Sequence, residues 1–519
     1  MTISPIFSHF LVAPLTRWID ALLDSRRQNR AVIWTLVAYA ALWTGYRVLA
    51  TMPRDLHADV TELYGWAGDL AFGYDKHPPF SAAVTKAWLS LFPATDLSFH
   101  ALATVNIALT LYIAFRTMRR YLPPEKTVFG LALLMLIPFF NFIALKYNAN
   151  AVLLPLWAAT IHCFLRAYER RNALWAALAG LAAGAAMLGK YWSVMLIAGL
   201  GVAALIDPRR VSFFRSRAPW IMAGVGLLVL APHLAWLLQH HFPTFAYAAA
   251  HSAPSFSDNL VATTGYLAGC VGYVAVPLIA AILLLRPSPE ALWDVVAPKD
   301  PSRRLILVIQ LLLIVLPAPF ALAMGLRIVP LWTMPAWTLL PIVVLGSPLV
   351  AVGRLALERL VAGVVVLMLA LLALAPAVAL AIHLNSPPGS YEYASLLAEK
   401  IAQQWRQHTA LPIPLVAGTT VLPVNTAYYL HTRARSFEHD DVATLKAAAQ
   451  AHGAVLVCPA DDAACLSIAE QIVAGQSEIS RSEVRLSRPL FGFAGGSVRD
   501  VFMMVWPPAE PPPLPVGEK

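Results

Sequence analysis

Asp59, Glu62 and Asp69, followed by Lys76 and His77, crowd the stretch "DVTELYGWAGDLAFGYDKHPPF" of an otherwise apolar chain. Asp59, Glu62, Trp66 and Asp69 recur at i, i+3, i+7 and i+10, the spacing of one helix face. Leu63, Ala67 and Leu70 fall on another side, suited to packing. A carboxylate within hydrogen-bond reach of a hydroxyl can take its proton, and a lysine or histidine aimed at a developing anion stabilises it. Pro78 and Pro79 cannot continue a helix, so the spacing predicts a helix ending before "GYDKHPPF" and a rigid turn there. "FSAAVTKAWLSLFP" then reads as a short amphipathic helix lying along the membrane. The plainer alternative is that these charges only solvate a loop surface.

The elements that must position this stretch are membrane spans. Of the 519 residues, 59% are hydrophobic and 13% charged, where a soluble domain carries about a quarter charged. Runs such as "AVIWTLVAYAALWTGYRVLA" reach the ~20 apolar residues a spanning helix needs. Eleven such segments are expected, over 32–51, 98–116, 127–145, 150–166, 172–189, 191–206, 219–239, 260–285, 305–325, 332–350 and 360–384. With the sides numbered alternately, 21 of the 38 Lys and Arg fall on the side of the N-terminus. Seven fall opposite: Arg47, Arg54, Lys76, Lys86, Lys146, Lys190 and Arg327; the rest lie after the last span. Positive charge marks the cytoplasmic side, so the N-terminus is expected inside, and loop 52–97 and the C-terminal region outside. The net charge of +9 then reports topology rather than nucleic-acid binding. No short apolar segment with a small-residue cleavage site opens the chain, so no cleaved signal peptide is expected. Residues 1–31 read as a cytoplasmic segment whose amphipathic part, 5–23, lies on the inner surface.

After residue 385 the apolar runs stop at a linker, "NSPPGSYEY". "IPLVAGTTVL" and "AVLVCP" read as buried strands, "DVATLKAAAQAH" and "DAACLSIAEQIVAG" as helices, and "VRLSRPLFGF", "AGGS", "VRDVFMMVWPP" as a β-hairpin. The expected fold is thus a polytopic α-helical membrane protein of about eleven helices (32–384) carrying a small periplasmic α/β domain (385–507). The proline-rich 508–519 is expected to be a disordered tail. Cys163 and Cys270 lie in apolar spans as inert thiols. Cys458 and Cys465 flank "PADDAA" in the external domain, where an oxidising compartment permits a disulfide; spacing alone leaves the pairing open.

Asp59, Tyr64, Trp66, Leu70, Gly73-Tyr74 and His77-Pro78-Pro79 together resemble the first outer loop of bacterial glycosyltransferase family 39. These are the protein mannosyltransferase-like members of the GT-C class, with the lipid A aminoarabinose transferases as more distant relatives. "LKYNANAVLLPLW", "GLAAGAAMLGKYWSVML", "PHLAWLLQHHFPTFAY" and "LRIVPLWTMPAW" resemble later motifs of the same family, so the resemblance covers most of residues 30–385. Three positions depart from it. Val60 follows Asp59 where many relatives have Glu, with Glu62 one turn on. Lys76 stands where an acid often precedes His-Pro-Pro, and Asn150 where relatives often have Asp. These departures leave the sugar and acceptor open.

The resemblance implies a cell-envelope enzyme of the bacterial inner membrane. It would move a sugar from a polyprenyl-phosphate donor to an acceptor hydroxyl on lipid, glycan or protein at the periplasmic face. Asp59 matches the family's catalytic Asp and is expected to be the base, with Glu62 as its companion; the alternative for Asp59 is a helix N-cap. Lys76, His77, Lys146, Lys190 and Arg327 are candidates for the donor phosphate, His77 aligning with a phosphate-binding lysine of the aminoarabinose branch. The alternative for each lone lysine is snorkelling toward headgroups. Trp66, Tyr74, Tyr147, Asn150 and Tyr191 are candidate sugar or cavity residues. His233, His240 and His241 are weaker candidates, read also as interfacial histidines at a helix end. No H-E-x-x-H, D-x-D, P-loop or Rossmann pattern occurs, and neither a metal nor a cofactor is expected. Two other classes compete. A polyprenyl-phosphate flippase or transporter would favour internal repeats and midplane charges, whereas here ionisable residues gather at one surface. A non-catalytic lipid-binding relative is the other.

Overall fold

The computed structural model describes residues 13–250, 255–419, 421–437, 440–476 and 478–507, the side chains of 248–250 excepted. The expected disordered tail, 508–519, and the first part of the N-terminal amphipathic segment lie outside the described residues. The chain forms two compact units. One comprises 1–45, 71–84 and 97–372; the other comprises 46–70, 85–96 and 373–519.

Six described helices are long and apolar enough to cross a membrane: Gln28–Ala50, Asp96–Met118, Ala218–Gln239, Phe256–Leu285, Pro301–Met324 and Arg354–Asn385. A seventh candidate is a pair, Pro124–Met135 with Pro138–Leu145, bent by 85°. Ala173–Gly189, Tyr191–Ile206 and Pro330–Leu345 are apolar but shorter. With helix Leu153–Arg170, each of the eleven expected segments has a helical counterpart, while length and apolarity by themselves support six or seven spans.

Apolar side chains such as Leu228, Val271, Leu283 and Val366 stay exposed on these helices, the outward face a hydrocarbon solvent accepts. Inside, small residues and polar crosslinks join the helices. A Cβ on Gly180 would lie 2.4 Å from the Met222 carbonyl oxygen, so glycine there lets Ala173–Gly189 press against Ala218–Gln239. Thr44 and Thr104 share a hydrogen bond of 2.7 Å. The amides of Asn106 and Asn259 donate to the carbonyls of Ala151 (2.7 Å) and Ala321 (2.9 Å).

The second unit is built on a five-stranded sheet of order β2-β1-β3-β5-β4, with β1 Leu415–Gly418, β2 Arg433–Ser436, β3 Ala454–Pro459, β4 Ile479–Ser487 and β5 Ser497–Val505. β1 runs parallel to β2 and β3, and β5 antiparallel to β3 and β4. The alternation of a strand splits "AVLVCP" between two cores. Leu456 and Cys458 face Leu445, Ala449, Cys465 and Ile472; Val455 and Val457 face Tyr393, Leu397, Ile401 and Trp405. Both faces are therefore covered, as a parallel sheet requires. Cys458 and Cys465 form a disulfide with Cα atoms 5.7 Å apart. The expected α/β domain is present, with more than the sequence reading assigned to it. Helix Ala394–His408 precedes the sheet, strand β2 is added, and Leu422–Leu430 is a helix rather than the continuation of a strand through "TTVL".

Candidate functional site: an acid-bearing helix and a set of cations

Asp59 sits in the first turn of helix Ala58–Gly68 in the second unit. The alternative reading of Asp59 as N-cap does not hold: His57 is the N-cap, its Nδ1 accepting from the Asp59 backbone N–H at 3.1 Å. The Asp59 carboxylate lies 3.9 Å from the same His57 nitrogen, and a carboxylate in a helix's first turn complements the positive end of its dipole. Val60, Thr61, Leu63 and Ala67 are buried, whereas Asp59, Glu62 and Trp66 are half-buried on another face. The expected stripe ends sooner than the spacing suggested. Asp69 is the C-cap and Leu70 is exposed beyond the helix, because the turn begins there.

The segment entering this helix is tied to the C-terminal part of the same unit. Arg54 pairs with Glu392 at 2.5 Å and donates to the Ser386 carbonyl at 2.7 Å. Asp55 accepts from the Ser395 backbone N–H (2.6 Å), the Ser395 hydroxyl (2.8 Å) and Arg488 Nη2 (3.0 Å). Burial pushes the Asp55 carboxyl above its ordinary value, against the downward pull of Ser395 and Arg488. Tyr429 accepts from the Leu56 N–H at 3.0 Å and donates to Asp96 at 3.0 Å, while Tyr428 meets the Tyr64 ring edge-on at 5.0 Å.

The cations sit in the first unit. Lys190 caps helix Ala173–Gly189; its ammonium donates to the Asn150 amide oxygen at 2.8 Å and stands 4.8 Å from the Trp332 ring centre. An amide and an aromatic face orient an ammonium without themselves adding an opposite charge, as an Asp at position 150 would. Trp332 is fixed in turn by Trp192, whose indole N–H donates to the Trp332 carbonyl at 3.1 Å with the rings 4.6 Å apart. Asn150 lies in a turn organised by Asn148, whose side-chain oxygen accepts from the N–H groups of Asn150 and Ala151.

The "GYDKHPPF" turn that carries Lys76 and His77 belongs to this unit and is held by helix Ala218–Gln239. His233 is buried, its Nδ1 2.6 Å from the Phe72 carbonyl and its Nε2 2.6 Å from the Tyr191 hydroxyl. A carbonyl only accepts, so Nδ1 carries the hydrogen; a neutral ring then accepts the Tyr191 proton at Nε2. Gly73 presses so closely on Trp236 that a Cβ would fall 2.3 Å from the indole. The Tyr74 N–H closes the turn on the His77 carbonyl at 3.1 Å, and Thr244 donates to the Tyr74 carbonyl at 3.3 Å.

The structure thus brings Lys190 to Asn150, and Tyr191 to the loop carrying Lys76, His77 and Tyr74. Lys146 is half-buried, Arg327 is exposed, and Tyr147 is packed away in the interior. His240 and His241 are exposed, His240 stacking on Trp236 at 4.4 Å, so of the three histidines it is His233 that supports a candidate residue. Trp332 was not singled out from "LRIVPLWTMPAW"; an aromatic in a chain with 15 tryptophans gives no local signal. Among the described residues no three His, Cys, Asp or Glu side chains cluster closely enough to hold a metal ion.

Part of the chain is similar to a glycosyltransferase family, and its fold is similar to that of a solved membrane protein. Residues 76–236 match the family model described as dolichyl-phosphate-mannose-protein mannosyltransferase. That stretch includes His77, Lys146, Asn150, Lys190 and His233, but neither Asp59 nor Arg327. Among particular proteins, the fold is that of ArnT from Cupriavidus metallidurans. The structure of that protein bound to undecaprenyl phosphate superposes with a TM-score of 0.63 at 16% identity, over 91% of this chain and 97% of ArnT. Its apo state gives 0.61 at 15% identity, over 90% and 97%. In sequence the chain is similar to two proteins of Rhizobium johnstonii. The lipid A galacturonosyltransferase RgtD is 26% identical over 188 residues, 36% of this chain and 39% of that one. The lipopolysaccharide core galacturonosyltransferase RgtB is 29% identical over 226 residues, 42% and 44%. The matched stretches span less than half the length of these curated relatives.

Proposed function

We propose that this protein is a membrane glycosyltransferase that moves a sugar from a polyprenyl-phosphate donor to a hydroxyl of a lipid acceptor at the periplasmic face. The observation that carries the reading is Lys190, an ammonium oriented by Asn150 and Trp332 at the end of helix Ala173–Gly189. As the glycosidic bond breaks, negative charge grows on the departing lipid phosphate, and a fixed cation aimed there lowers the barrier. Asp59 is the base in this reading. It takes the acceptor's proton as that oxygen attacks the anomeric carbon, a role worth about 10²- to 10⁴-fold in rate. Glu62 shares its helix face, and Lys76 and His77 are further cations for the donor. The asymmetry of Lys and Arg supports an N-terminus in the cytoplasm and a C-terminal domain in the periplasm.

The names of the sequence relatives point to a uronic acid as the sugar. A uronosyl donor carries a carboxylate besides its phosphate. Lys76 and Asn150, each standing where family members often have an acid, make the first unit more cationic in the way such a donor needs.

Mass spectrometry of envelope glycolipids and polyprenyl-phosphate sugars tests the proposal, in cells carrying wild-type protein, Asp59→Asn or Lys190→Ala. The expected result is accumulation of a lipid-linked hexuronic acid and loss of one glycolipid in both variants. Unchanged profiles with stably inserted protein would overturn the transferase reading in favour of a flippase or a lipid-binding relative. An accumulated neutral or amino sugar would keep the transferase and sink the uronosyl assignment.

A further inference from the structure

The side chain of Asn425 is completely buried and uses every polar atom it has. Its Nδ2 donates to the carbonyls of Leu56 (2.9 Å) and Tyr391 (3.0 Å), and its Oδ1 accepts from the Thr61 hydroxyl at 2.6 Å. Leu56 lies three residues before Asp59 and Thr61 two residues after it, so a single amide grips the chain on both sides of the acid. Asn425 belongs to helix Leu422–Leu430. The next turn of that helix supplies Tyr428 against Tyr64 and Tyr429 to the Leu56 N–H.

A helix of 11 residues such as Ala58–Gly68 is marginal by itself in water, since isolated helices shorter than about 12–15 residues do not repay their nucleation. Its orientation must come from what it packs on. Apolar contacts hold a helix but let it rotate and slide; a buried amide with all its bonds satisfied fixes one register. We propose that Asn425 is a positioning residue for the reaction. Reaching from the C-terminal domain, it sets the placement of Asp59 through Leu56 and Thr61, and with it the distance over which the acceptor proton is taken. The inference rests on the reading of Asp59 as base. It gives the C-terminal domain a direct part in turnover, by fixing the rotational setting of the acid's helix.

The test measures kcat and donor KM for full-length protein in lipid nanodiscs, with polyprenyl-phosphate galacturonic acid as donor and lipid A as acceptor. A misplacement near 1 Å costs about 10²-fold. Asn425→Ala and Thr61→Val are therefore expected to lower kcat at least about tenfold while donor KM stays within about twofold. Thr61→Ser, which keeps the hydroxyl, restores kcat. The double variant Asn425→Ala/Thr61→Val is no worse than Asn425→Ala, because both remove the same restraint. Thr61→Val also covers the case in which Asn425→Ala does not fold. If both single variants insert stably and turn over like wild type, or raise donor KM with kcat unchanged, the positioning role is overturned. Asp59→Asn separates the two levels. Should it be inactive while Asn425→Ala and Thr61→Val are normal, only the positioning inference fails; should it turn over normally, the base assignment fails and this inference with it.

Discussion

The two units anchor their cations by different kinds of contact. In the second, Arg54 meets Glu392 and Arg488 meets Asp55. In the first, Lys190 meets an amide and an indole. Neutralised pairs fix geometry, because a buried charge left alone is costly and a paired one has a single good arrangement. An amide and an aromatic face also fix a cation, by direction rather than by opposite charge. The difference lies in the chemistry of the contacts, which residue type alone does not show.

The largest effect should come from removing the Lys190 ammonium. Lys190→Ala is expected to lower kcat/KM about 100-fold, the scale of losing one preorganised electrostatic group, with little change in thermal stability. Loss of stability without loss of turnover would assign Lys190 to the fold and not to the reaction.

Asp500 probes the other side of the comparison. It is fully buried in β5, and neither carboxylate oxygen has a hydrogen-bond partner among the described residues. Burial, with Asp461 nearby adding to it, pushes this carboxyl up to about 6 against the pull of Ser390. The folded state therefore holds the proton more tightly than the unfolded chain. Stability is highest at low pH, where both states are protonated. It falls as pH rises from near 4 to near 6, then levels off. Asp500→Asn should raise stability by about 2 kcal/mol at pH 8 and by almost nothing at pH 4, read as melting temperature against pH. A flat pH profile for the wild type would mean that this acid has found a partner.

Asn150→Asp inserts an anion beside Lys190 while keeping the hydrogen bond. About a tenfold loss of donor binding is expected, the size of about 1.4 kcal/mol, with Asn150→Gln milder. Equal effects of Asp and Gln would show that position 150 matters by shape and not by charge. The smallest change is Arg488→Lys. It retains the charge against Asp55 but loses the planar group lying over Tyr393, and should cost no more than about 1 kcal/mol of stability with turnover intact.

How much of this was legible in the sequence follows from the range of the interactions. The loop helix, its break before His77-Pro78-Pro79, strand β3 and the helices on either side of it are written in local periodicity and caps, and their positions agree with the reading. Lys190 and Asn150 each stood out, but nothing local joins residues 40 apart; only the packing of helices Leu153–Arg170 and Ala173–Gly189 does. His57 as the cap on Ala58–Gly68 left no signal, because Asp is a favoured cap and His is not. Helix Leu422–Leu430 was hidden by "IPLVAGTTVL", where apolar residues run on from strand into helix; Pro423 in its first turn was the available signal. Ala394–His408 left a plainer trace in Leu397, Ile401 and Trp405 at four-residue spacing. Asn425 left none, since a buried amide with three partners looks like any turn asparagine until the fold is known.

The second compact unit has a consequence for how the protein is made. Its pieces are 46–70, 85–96 and 373–519, so Asp55 and Leu56 are synthesised early while Ser395, Asn425, Tyr429 and Arg488 arrive last. Closing a loop of more than 300 residues is slow, and chains emerge at about 5–20 residues per second. For tens of seconds the acid-bearing helix exists without the contacts that set its angle. Maturation is thereby coupled to completion: a chain stopped between residues 327 and 425 carries every candidate cation and the acid itself, yet lacks the clasp that aims it.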